Sequence, residues 1–246
     1  MAVKRKPVYL IAGGRGSVAR RGPDPLVMQA LQTAGVQQPA VAYVGAASRD
    51  NALFRAMISR MLRKAGAGKV RLAPLCGSRA DPAKARRVIE QSHIVFMSGG
   101  DVEEGMKVLS KNGMTVFLQE LYREGKPFFG VSAGSIMLAR SWVRWPDPED
   151  ESIAELFPCL GLAPLYCDTH DEGNRWEELH ALLQLMPAGS LAYGIPSGTA
   201  LAAYADGTVR AVGGGVHRFK RKGSAVRHIP SLSPPNPVTL TDTDGR

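Results

Sequence analysis

The sequence predicts an α/β fold in which a mainly parallel central sheet carries helices on both faces, in a three-layer arrangement. Short apolar runs alternate with segments of helical periodicity along most of the chain. The apolar runs are continuous rather than alternating, as in strands that are covered on both faces. Glycines or polar residues follow most of these runs. Because sites in such sheets gather beyond the carboxyl ends of the strands, we expect the functional residues there.

The first half of the chain supplies the parallel strands of this prediction. We expect strands at residues 8–11, 40–44, 70–75, 94–97 and 128–131. Ser48 and Asp50 offer capping oxygens to a helix that follows the second strand. Asp81-Pro82 is a cap followed by a first-turn proline, and it predicts a helix to about Gln91. Further helices are expected near residues 102–109 and 114–124.

The last third of the chain is less regular. Two apolar runs, 201–204 and 208–212, flank Asp206-Gly207, which predicts a C-terminal β-hairpin. From Ser231 onward the chain is rich in serine, proline and aspartate, and it offers little to bury. We therefore expect one α/β domain over residues 1–230 and a flexible tail over residues 231–246.

Composition excludes several classes of protein. The 246 residues are 44% hydrophobic and 22% charged, which is typical of a globular domain. Apolar runs fall short of the roughly 20 residues that span a bilayer, so we expect no membrane contact. Cys76, Cys159 and Cys167 lack the spacing of a disulfide framework or a zinc site. We expect a cytoplasmic protein that needs neither a metal nor an organic cofactor.

The net charge of +9 leaves two interpretations. Basic residues cluster at 4–6 and 218–222, which could indicate nucleic-acid binding. The clusters lack the repeated aromatic residues that stack on bases, so a solvated basic surface is the interpretation we favour. Nucleic acid is not an expected partner.

Ser132, in the run Gly130-Val-Ser-Ala-Gly134, is the candidate nucleophile. A buried strand leads directly into the serine and a helical stretch, about residues 136–140, follows it. The pattern is typical of a nucleophile elbow, in which glycines permit a strained turn that projects the hydroxyl above the sheet. The helix amino-terminus behind the serine offers amides to a developing oxyanion. The alternative is a glycine-rich turn with a capping serine.

His170 is the candidate base among the five histidines. It lies in the polar run 168–173, which follows an apolar stretch and precedes a helix, whereas His93 and His180 have structural surroundings. Asp147, Asp168 and Asp171 are all candidates for the carboxylate that orients the imidazole. The separation of 38 residues (170 − 132) between Ser132 and His170 argues against an ordinary α/β-hydrolase order.

Two glycine-rich turns follow other strands. Ser98-Gly-Gly-Asp101 could form a loop of backbone amides that faces a bound carbonyl, with Asp101 capping the next helix, or it could be a plain turn. Gly14-x-Gly16-x-x-Ala19 imitates a dinucleotide fingerprint. No acidic residue ends the next strand and Arg20-Arg21-Gly-Pro interrupts the helix, so nucleotide binding is not expected.

These residues together resemble the peptidase E and cyanophycinase family of serine peptidases, whose fold is similar to that of class I glutamine amidotransferases. The resemblance runs from about residue 8 to 212. It is carried by the motifs at 43–47, 96–101, 130–135, 168–170 and 194–200.

The resemblance implies a role for each matching residue. Ser132 would attack the scissile carbonyl and His170 would be the general base. Asp147 stands at the spacing of the triad acid in the peptidase E branch. The oxyanion amides would come from Gly99, Gly100 and Ala133, while Asp168, Thr169 and Arg175 are candidate substrate-binding residues. The implied activity is hydrolysis of short peptides, with dipeptides that carry an acidic amino-terminal residue as one class.

One departure from the family pattern motivates an alternative function. The cyanophycinase branch has a glutamate where this sequence has Ser197, and its arginine-rich run is reduced here to Asn174-Arg175-Trp176. A catalytically inactive binding protein on the same scaffold is therefore the second hypothesis. A glutaminase of the amidotransferase type is disfavoured because the elbow carries serine instead of cysteine. The expected partner is a small peptide, and a homodimer is left open.

Overall fold

The computed structural model describes residues 5–14, 22–147 and 153–235. The strands in these ranges are β1 (Val8–Ile11), β2 (Val41–Val44), β3 (Val70–Ala73), β4 (Ile94–Met97), β5 (Phe128–Val131), β6 (Ser141–Arg144), β7 (Glu155–Pro158), β8 (Cys167–Thr169), β9 (Leu191–Ile195), β10 (Ala200–Ala203), β11 (Val209–Val212), β12 (Val216–Lys222) and β13 (Ala225–Leu232). The α-helices are α1 (Pro25–Gln32), α2 (Ala52–Lys64), α3 (Pro82–Glu90), α4 (Val102–Lys111), α5 (Met114–Arg123), α6 (Ala133–Leu138) and α7 (Glu177–Gln184).

The central sheet has seven strands in the order β11-β10-β1-β5-β4-β2-β3. The five strands from β1 to β3 in that order pair in parallel, whereas β10 pairs with β1 and β11 with β10 in antiparallel fashion. The predicted α/β class and mainly parallel sheet are therefore confirmed. The predicted hairpin is β10–β11, and it extends the main sheet at one edge.

Side chains alternate between two cores on opposite faces of this sheet, as β1 shows. Val8 and Leu10 belong to one core, which helices α3, α4, α5 and α6 cover. Tyr9 and Ile11 belong to the other, which α1 and α2 cover. Successive strand residues point to opposite faces, so a strand buried on both faces must be apolar throughout. This requirement explains the continuous apolar runs in the sequence.

The predicted cap of α3 is confirmed, whereas the predicted cap of α2 is wrong. Asp81 accepts a hydrogen bond from the amide of Lys84 at 2.8 Å, as predicted for the cap of α3. The predicted capping of α2 by Ser48 or Asp50 is wrong, because Asn51 caps that helix through the amide of Phe54. A 3₁₀ turn at Ala46–Ser48 places Asp50 outside the helix, where its carboxylate instead accepts hydrogen bonds from two amides just after β3.

A second sheet, β13-β12-β9-β8, packs α7 against one face and supplies part of the site. Strands β8 and β9 are parallel and the other pairs are antiparallel. The start predicted for the tail, Ser231, lies within strand β13, because Leu232 pairs with Val216 and the strand continues to that residue. Residues 236–246 lie outside the described ranges. Strands β6 and β7 form a separate two-stranded sheet.

Candidate active site

The candidate site lies where several parallel strands end. Gly13 and Gly14 follow β1, Gly99 follows β4, Ser132 follows β5 and His170 follows β8. All five residues line one pocket at the carboxyl edge of the sheets. The site therefore lies at the edge that the strand pattern predicts.

Ser132 occupies a strained turn between β5 and α6. Its φ of 55° and ψ of −127° lie outside the regions that a serine ordinarily adopts. A Cβ on Gly130 would lie 2.4 Å from the carbonyl carbon of Gly134, and one on Gly134 would lie 2.2 Å from the carbonyl oxygen of Met97. Only glycine fits at either position, so the two glycines are a steric requirement of the elbow. Helix α6 begins directly after Ser132, three residues earlier than the sequence indicated.

The structure brings Ser132 and His170 together. The Oγ atom of Ser132 lies 2.7 Å from Nε2 of His170, within hydrogen-bonding distance. His170 also has a positive φ, 46°, and its amide donates to the carbonyl of Ile195 at 2.9 Å. This hydrogen bond fixes the loop after β8 against the end of β9. A serine in contact with an imidazole has the geometry of a nucleophile and its general base.

The predicted carboxylates occupy three different environments. Asp147 is exposed on the segment after β6, next to residues 148–152, which lie outside the described ranges. Asp168 is buried in β8, where loss of solvent and the neighbouring charge of Glu178 raise the pKa of its carboxyl to about 8. Asp171 lines a separate cavity together with Trp142 and Glu178.

Glu172 is a site residue that the sequence analysis missed. Its Oε1 atom accepts a hydrogen bond from the amide of Ser197 at 2.5 Å. Desolvation acts to raise the pKa of Glu172, but hydrogen bonds from its own amide and from Ser197, with a smaller effect of the nearby His170, outweigh it, and the pKa is lowered. A carboxylate thus lies beside Ser197, at the position where the cyanophycinase-like pattern has its glutamate. The one sequence feature that could have indicated Glu172 is its place two residues after His170, in an acidic loop.

The glycine loop after β4 is pressed between two backbone segments. A Cβ on Gly99 would lie 3.3 Å from the Cβ of Ser132. A Cβ on Gly100, whose φ is +144°, would lie 2.0 Å from the carbonyl oxygen of Ala47. Asp101 caps α4 through the amide of Glu104 at 2.8 Å, as predicted. The loop therefore places its backbone directly beside the candidate nucleophile.

Gly14 has a packing role in this site. A Cβ there would lie 2.6 Å from the Oγ of Ser197 and 3.6 Å from the Cβ of His170. The close approach of the loop after β9 therefore explains why residue 14 is a glycine, and a bound dinucleotide is not needed to explain it. Gly16 and Ala19, the remaining positions of the fingerprint-like run, lie outside the described residues.

The other residues singled out in the sequence lie around the site or away from it. Thr169 is buried at the end of β8, and Arg175 is exposed at the end of the turn after His170. His93 accepts a hydrogen bond from the amide of Ala40 at 2.9 Å, and His180 packs on the ring of Phe219. Both of these histidines are structural, as predicted.

The described residues contain neither a membrane-spanning helix nor a cluster of metal ligands. In that part of the chain, no helix has the length and apolar character needed to cross a membrane. The same residues contain no cluster of three or more histidine, cysteine or acidic side chains suited to a metal ion.

Comparison with known proteins decides the family. The model of Peptidase family S51 matches residues 10–211, which include the elbow, His170 and the glycine loop. The chain belongs to this family. Its fold is shared with a peptidase from an acI-B1 actinobacterium, at a TM-score of 0.68 and 17% identity over 95% of this chain and 98% of that one. A protein described as peptidase E from Listeria monocytogenes gives a TM-score of 0.60 at 14% identity, over 84% of this S51 chain and 98% of its own.

Curated relatives match a shorter part of this S51 chain. Peptidase E of Haemophilus influenzae is 28% identical over 125 residues, or 47% of this chain and 56% of that protein. The pyridoxal 5'-phosphate synthase subunit PdxT of Anoxybacillus flavithermus is 28% identical over 116 residues, or 47% of this chain and 55% of its own length. The chain thus spans about half the length of the curated relatives it matches.

Proposed function

We propose that this protein is a serine peptidase that hydrolyses short peptides through an acyl-enzyme on Ser132. The observation that carries the proposal is the 2.7 Å contact between Ser132 Oγ and His170 Nε2, made on a strained elbow at the carboxyl end of the sheet. Membership of Peptidase family S51 and the likeness to peptidase E support the same reaction class.

The proposed reaction has two stages. In the first, Ser132 Oγ attacks the scissile carbonyl while its proton passes to His170 Nε2, and the tetrahedral intermediate collapses as His170 protonates the leaving amine. In the second, His170 takes a proton from water, which attacks the acyl group, and the new tetrahedral intermediate collapses as His170 returns the proton to Ser132 Oγ and the acid product leaves. We propose the amides of Gly99, Gly100 and Ala133 as donors to the oxyanion, since Gly99 adjoins Ser132 and Ala133 begins α6.

The carboxylate that supports the imidazole has two candidates. Asp147 is proposed from its spacing to Ser132, which matches the peptidase E branch. Glu172 is proposed from the structure, because it lies two residues after His170 and its carboxylate accepts a hydrogen bond from the amide of Ser197. Asp168, Thr169 and Arg175 stay proposed substrate contacts, and dipeptides with an acidic amino-terminal residue stay one proposed substrate class.

A serine-directed fluorophosphonate provides the direct test. We expect it to label the wild-type protein at Ser132 and to abolish hydrolysis of a dipeptide panel, whereas Ser132→Ala should not label. The same substitution should lower kcat by on the order of 10⁵–10⁶, as loss of a catalytic serine does elsewhere. Turnover that survives Ser132→Ala would remove the nucleophile assignment.

The alternative is an inactive binding protein on the same scaffold, favoured by Ser197 in place of the family glutamate. It predicts that Ser132 does not react with the fluorophosphonate while peptides still bind, which calorimetry would detect. Labelling of Ser132 together with peptide turnover would exclude it.

Two further proposals concern the protein in the cell. We propose a reducing, cytoplasmic location, which is supported by the three free thiols of Cys76, Cys159 and Cys167. A homodimer is proposed as the oligomer to test by sedimentation. Fractionation of cells that produce the protein would test the location.

A further inference from the structure

A small apolar pocket opens beside the candidate nucleophile, on the side of the sheet that α1 and α2 cover. Its volume is about 170 Å³, and Ser132, His170 and Gly99 form one wall. Apart from Asp24, the other side chains that line the pocket are apolar and come from the sheet and the two helices. These side chains are Ile11, Val27, Phe54, Ile58, Met61 and Val131.

The inner walls of the pocket are part of the protein core. Ile11, Val27 and Ile58 are nearly fully buried and belong to the cluster between the sheet and the two helices. Phe54 and Met61 are partly buried on the same face of α2. Because rigid core residues form the inner walls, the pocket has a defined shape before any ligand enters.

The charged groups among the described lining residues do not favour an acidic ligand. Asp24 lines the pocket, and its Oδ1 atom caps α1 by accepting hydrogen bonds from Leu26 and Val27. No lysine or arginine is present among the described residues that line it. An acidic side chain placed here would lose its hydration and face Asp24, and the described part of the lining offers it no basic partner, which is unfavourable.

We infer that this pocket takes an apolar side chain, of the size of leucine, methionine or phenylalanine, from a residue that flanks the scissile bond. The inference rests on the proposed function, since a peptide carbonyl at Ser132 would place its neighbouring side chains beside the pocket. Its volume of about 170 Å³ compares with the roughly 150 Å³ of an apolar cavity that accommodates benzene. If the substrate also carries an acidic residue, this assignment requires that residue to lie on the other side of the scissile bond from the residue whose side chain enters the pocket.

A matched dipeptide panel tests the inference on the wild-type protein. Leucine, alanine and aspartate are each placed before and after the scissile bond, giving nine substrates. At one of the two positions we expect leucine to exceed alanine by 10-fold or more in kcat/KM, since buried methylene groups discriminate by about that factor each. Aspartate at the same position should be poorer than alanine. Equal rates for leucine and alanine at both positions, or a preference for aspartate at both, would overturn the inference.

Substitutions in α2 identify the pocket itself. Met61→Arg places a cation at the pocket, and it should lower the leucine-to-aspartate ratio of kcat/KM by 10-fold or more at the selective position. Met57→Arg is the matched control, because Met57 is 40% exposed on the same helix and does not line the pocket. The control should keep the wild-type ratio. An unchanged ratio in a folded Met61→Arg protein would overturn the assignment of the pocket.

A second variant keeps the test open if Met61→Arg fails to fold. Phe54→Ala removes a partly buried ring from the wall and should increase the rate for tryptophan relative to leucine at the same position. The exposed neighbour Leu53, at 84% exposure, offers Leu53→Ala as its control. No change in the tryptophan-to-leucine ratio would contradict the inference.

Binding to Ser132→Ala separates this inference from the proposed function. Calorimetry with the nine dipeptides measures affinity without turnover. If the wild type fails to label with fluorophosphonate but Ser132→Ala still prefers leucine, the proposed function fails and the pocket assignment stands. If the wild type labels and hydrolyses peptides without an apolar preference, the pocket assignment fails alone.

Discussion

The carboxylate of Glu172 accepts a hydrogen bond from the amide of Ser197, with 2.5 Å between Oε1 and N. Ser197 stands where the cyanophycinase-like pattern has a glutamate. In this protein the carboxylate beside that position therefore comes from Glu172, in the loop after β8. The same two loops are also joined by the hydrogen bond from the amide of His170 to the carbonyl of Ile195 at 2.9 Å.

Glu172→Gln should lower kcat/KM about 10-fold. The amide keeps an acceptor for Ser197, but it weakens the hydrogen bond that joins the loop of His170 to the loop after β9, because a charged acceptor binds an amide about twice as strongly as a neutral one. Glu172→Ala, which removes the acceptor, should lose more activity, and kcat/KM on the best dipeptide of the panel measures both losses. Glu177→Gln, on the exposed start of α7, is the control. Equal rates for Glu172→Ala and the wild type would show that this hydrogen bond does not support the site.

Asp147→Asn distinguishes the second candidate acid. If Asp147 completes the triad, its amide should cost on the order of 10⁴ in kcat, as in other serine peptidases. The measurement is kcat on the best dipeptide of the panel, with fluorophosphonate labelling as a check on Ser132. A loss smaller than 10-fold would remove Asp147 from the triad.

Gly134→Ala should destabilise the elbow and lower activity more than 100-fold. The new Cβ would lie 2.2 Å from the carbonyl oxygen of Met97, a backbone atom that cannot rotate away. Overpacking of this kind costs about 1–3 kcal/mol and would displace α6 from the end of β4. Urea unfolding and kcat/KM measure the two effects. Gly22→Ala, which meets nothing within 4 Å, should change neither.

Ser135→Ala should cost only about 1 kcal/mol of stability and leave kcat/KM within 2-fold. The buried hydroxyl of Ser135 donates to the carbonyl of Ile11 at 2.9 Å. That carbonyl also accepts the amide of Ser132 at 3.0 Å, so it keeps a partner in the variant. Urea unfolding gives the stability. A large drop in activity would show that this hydrogen bond also holds the elbow in its reactive shape.

Asp168→Asn should stabilise the protein at pH 8 more than at pH 4.5. Burial and the charge of Glu178 raise the pKa of Asp168 from 3.8 to about 8 in the folded state. Between these values the folded protein binds a proton that the unfolded chain does not, so its stability falls as pH rises through this window. The side chain of asparagine does not ionise, so Asp168→Asn removes this loss of stability at high pH. Urea midpoints of both proteins at the two pH values test this, and an equal difference at both would contradict the raised pKa.

The sequence could predict the main sheet and could single out Ser132 and His170, which the structure brings into contact, because both features leave local signals. Strands buried on both faces must be apolar throughout, and an elbow that excludes every Cβ must have glycine at 130 and 134. His170 stood out because it lies in a polar run that directly follows an apolar one. In each case the physical requirement acts on residues close together in the chain.

The second sheet and Glu172 left no such signal. Strand β12 carries four basic residues among its seven, because one of its faces is solvated, so its sequence resembles a charged loop. Glu172 is one of several acids in its loop, and only the contact with Ser197, 25 residues away, singles it out. The cap of α2 was misplaced for a related reason: Asp50 binds amides beyond β3, which lie 25 and 26 residues away.

The candidate nucleophile and the candidate base belong to different sheets. Ser132 follows a strand of the central sheet, whereas His170 follows β8 of the second sheet, and the turn at residues 196–199 joins the two sheets through hydrogen bonds from Gly198 to Gly13 and from Ala12 to Thr199. A displacement of about 1 Å between catalytic groups can cost 100-fold in rate. Movement of one sheet against the other would therefore abolish the proposed hydrolysis while both sheets stay folded.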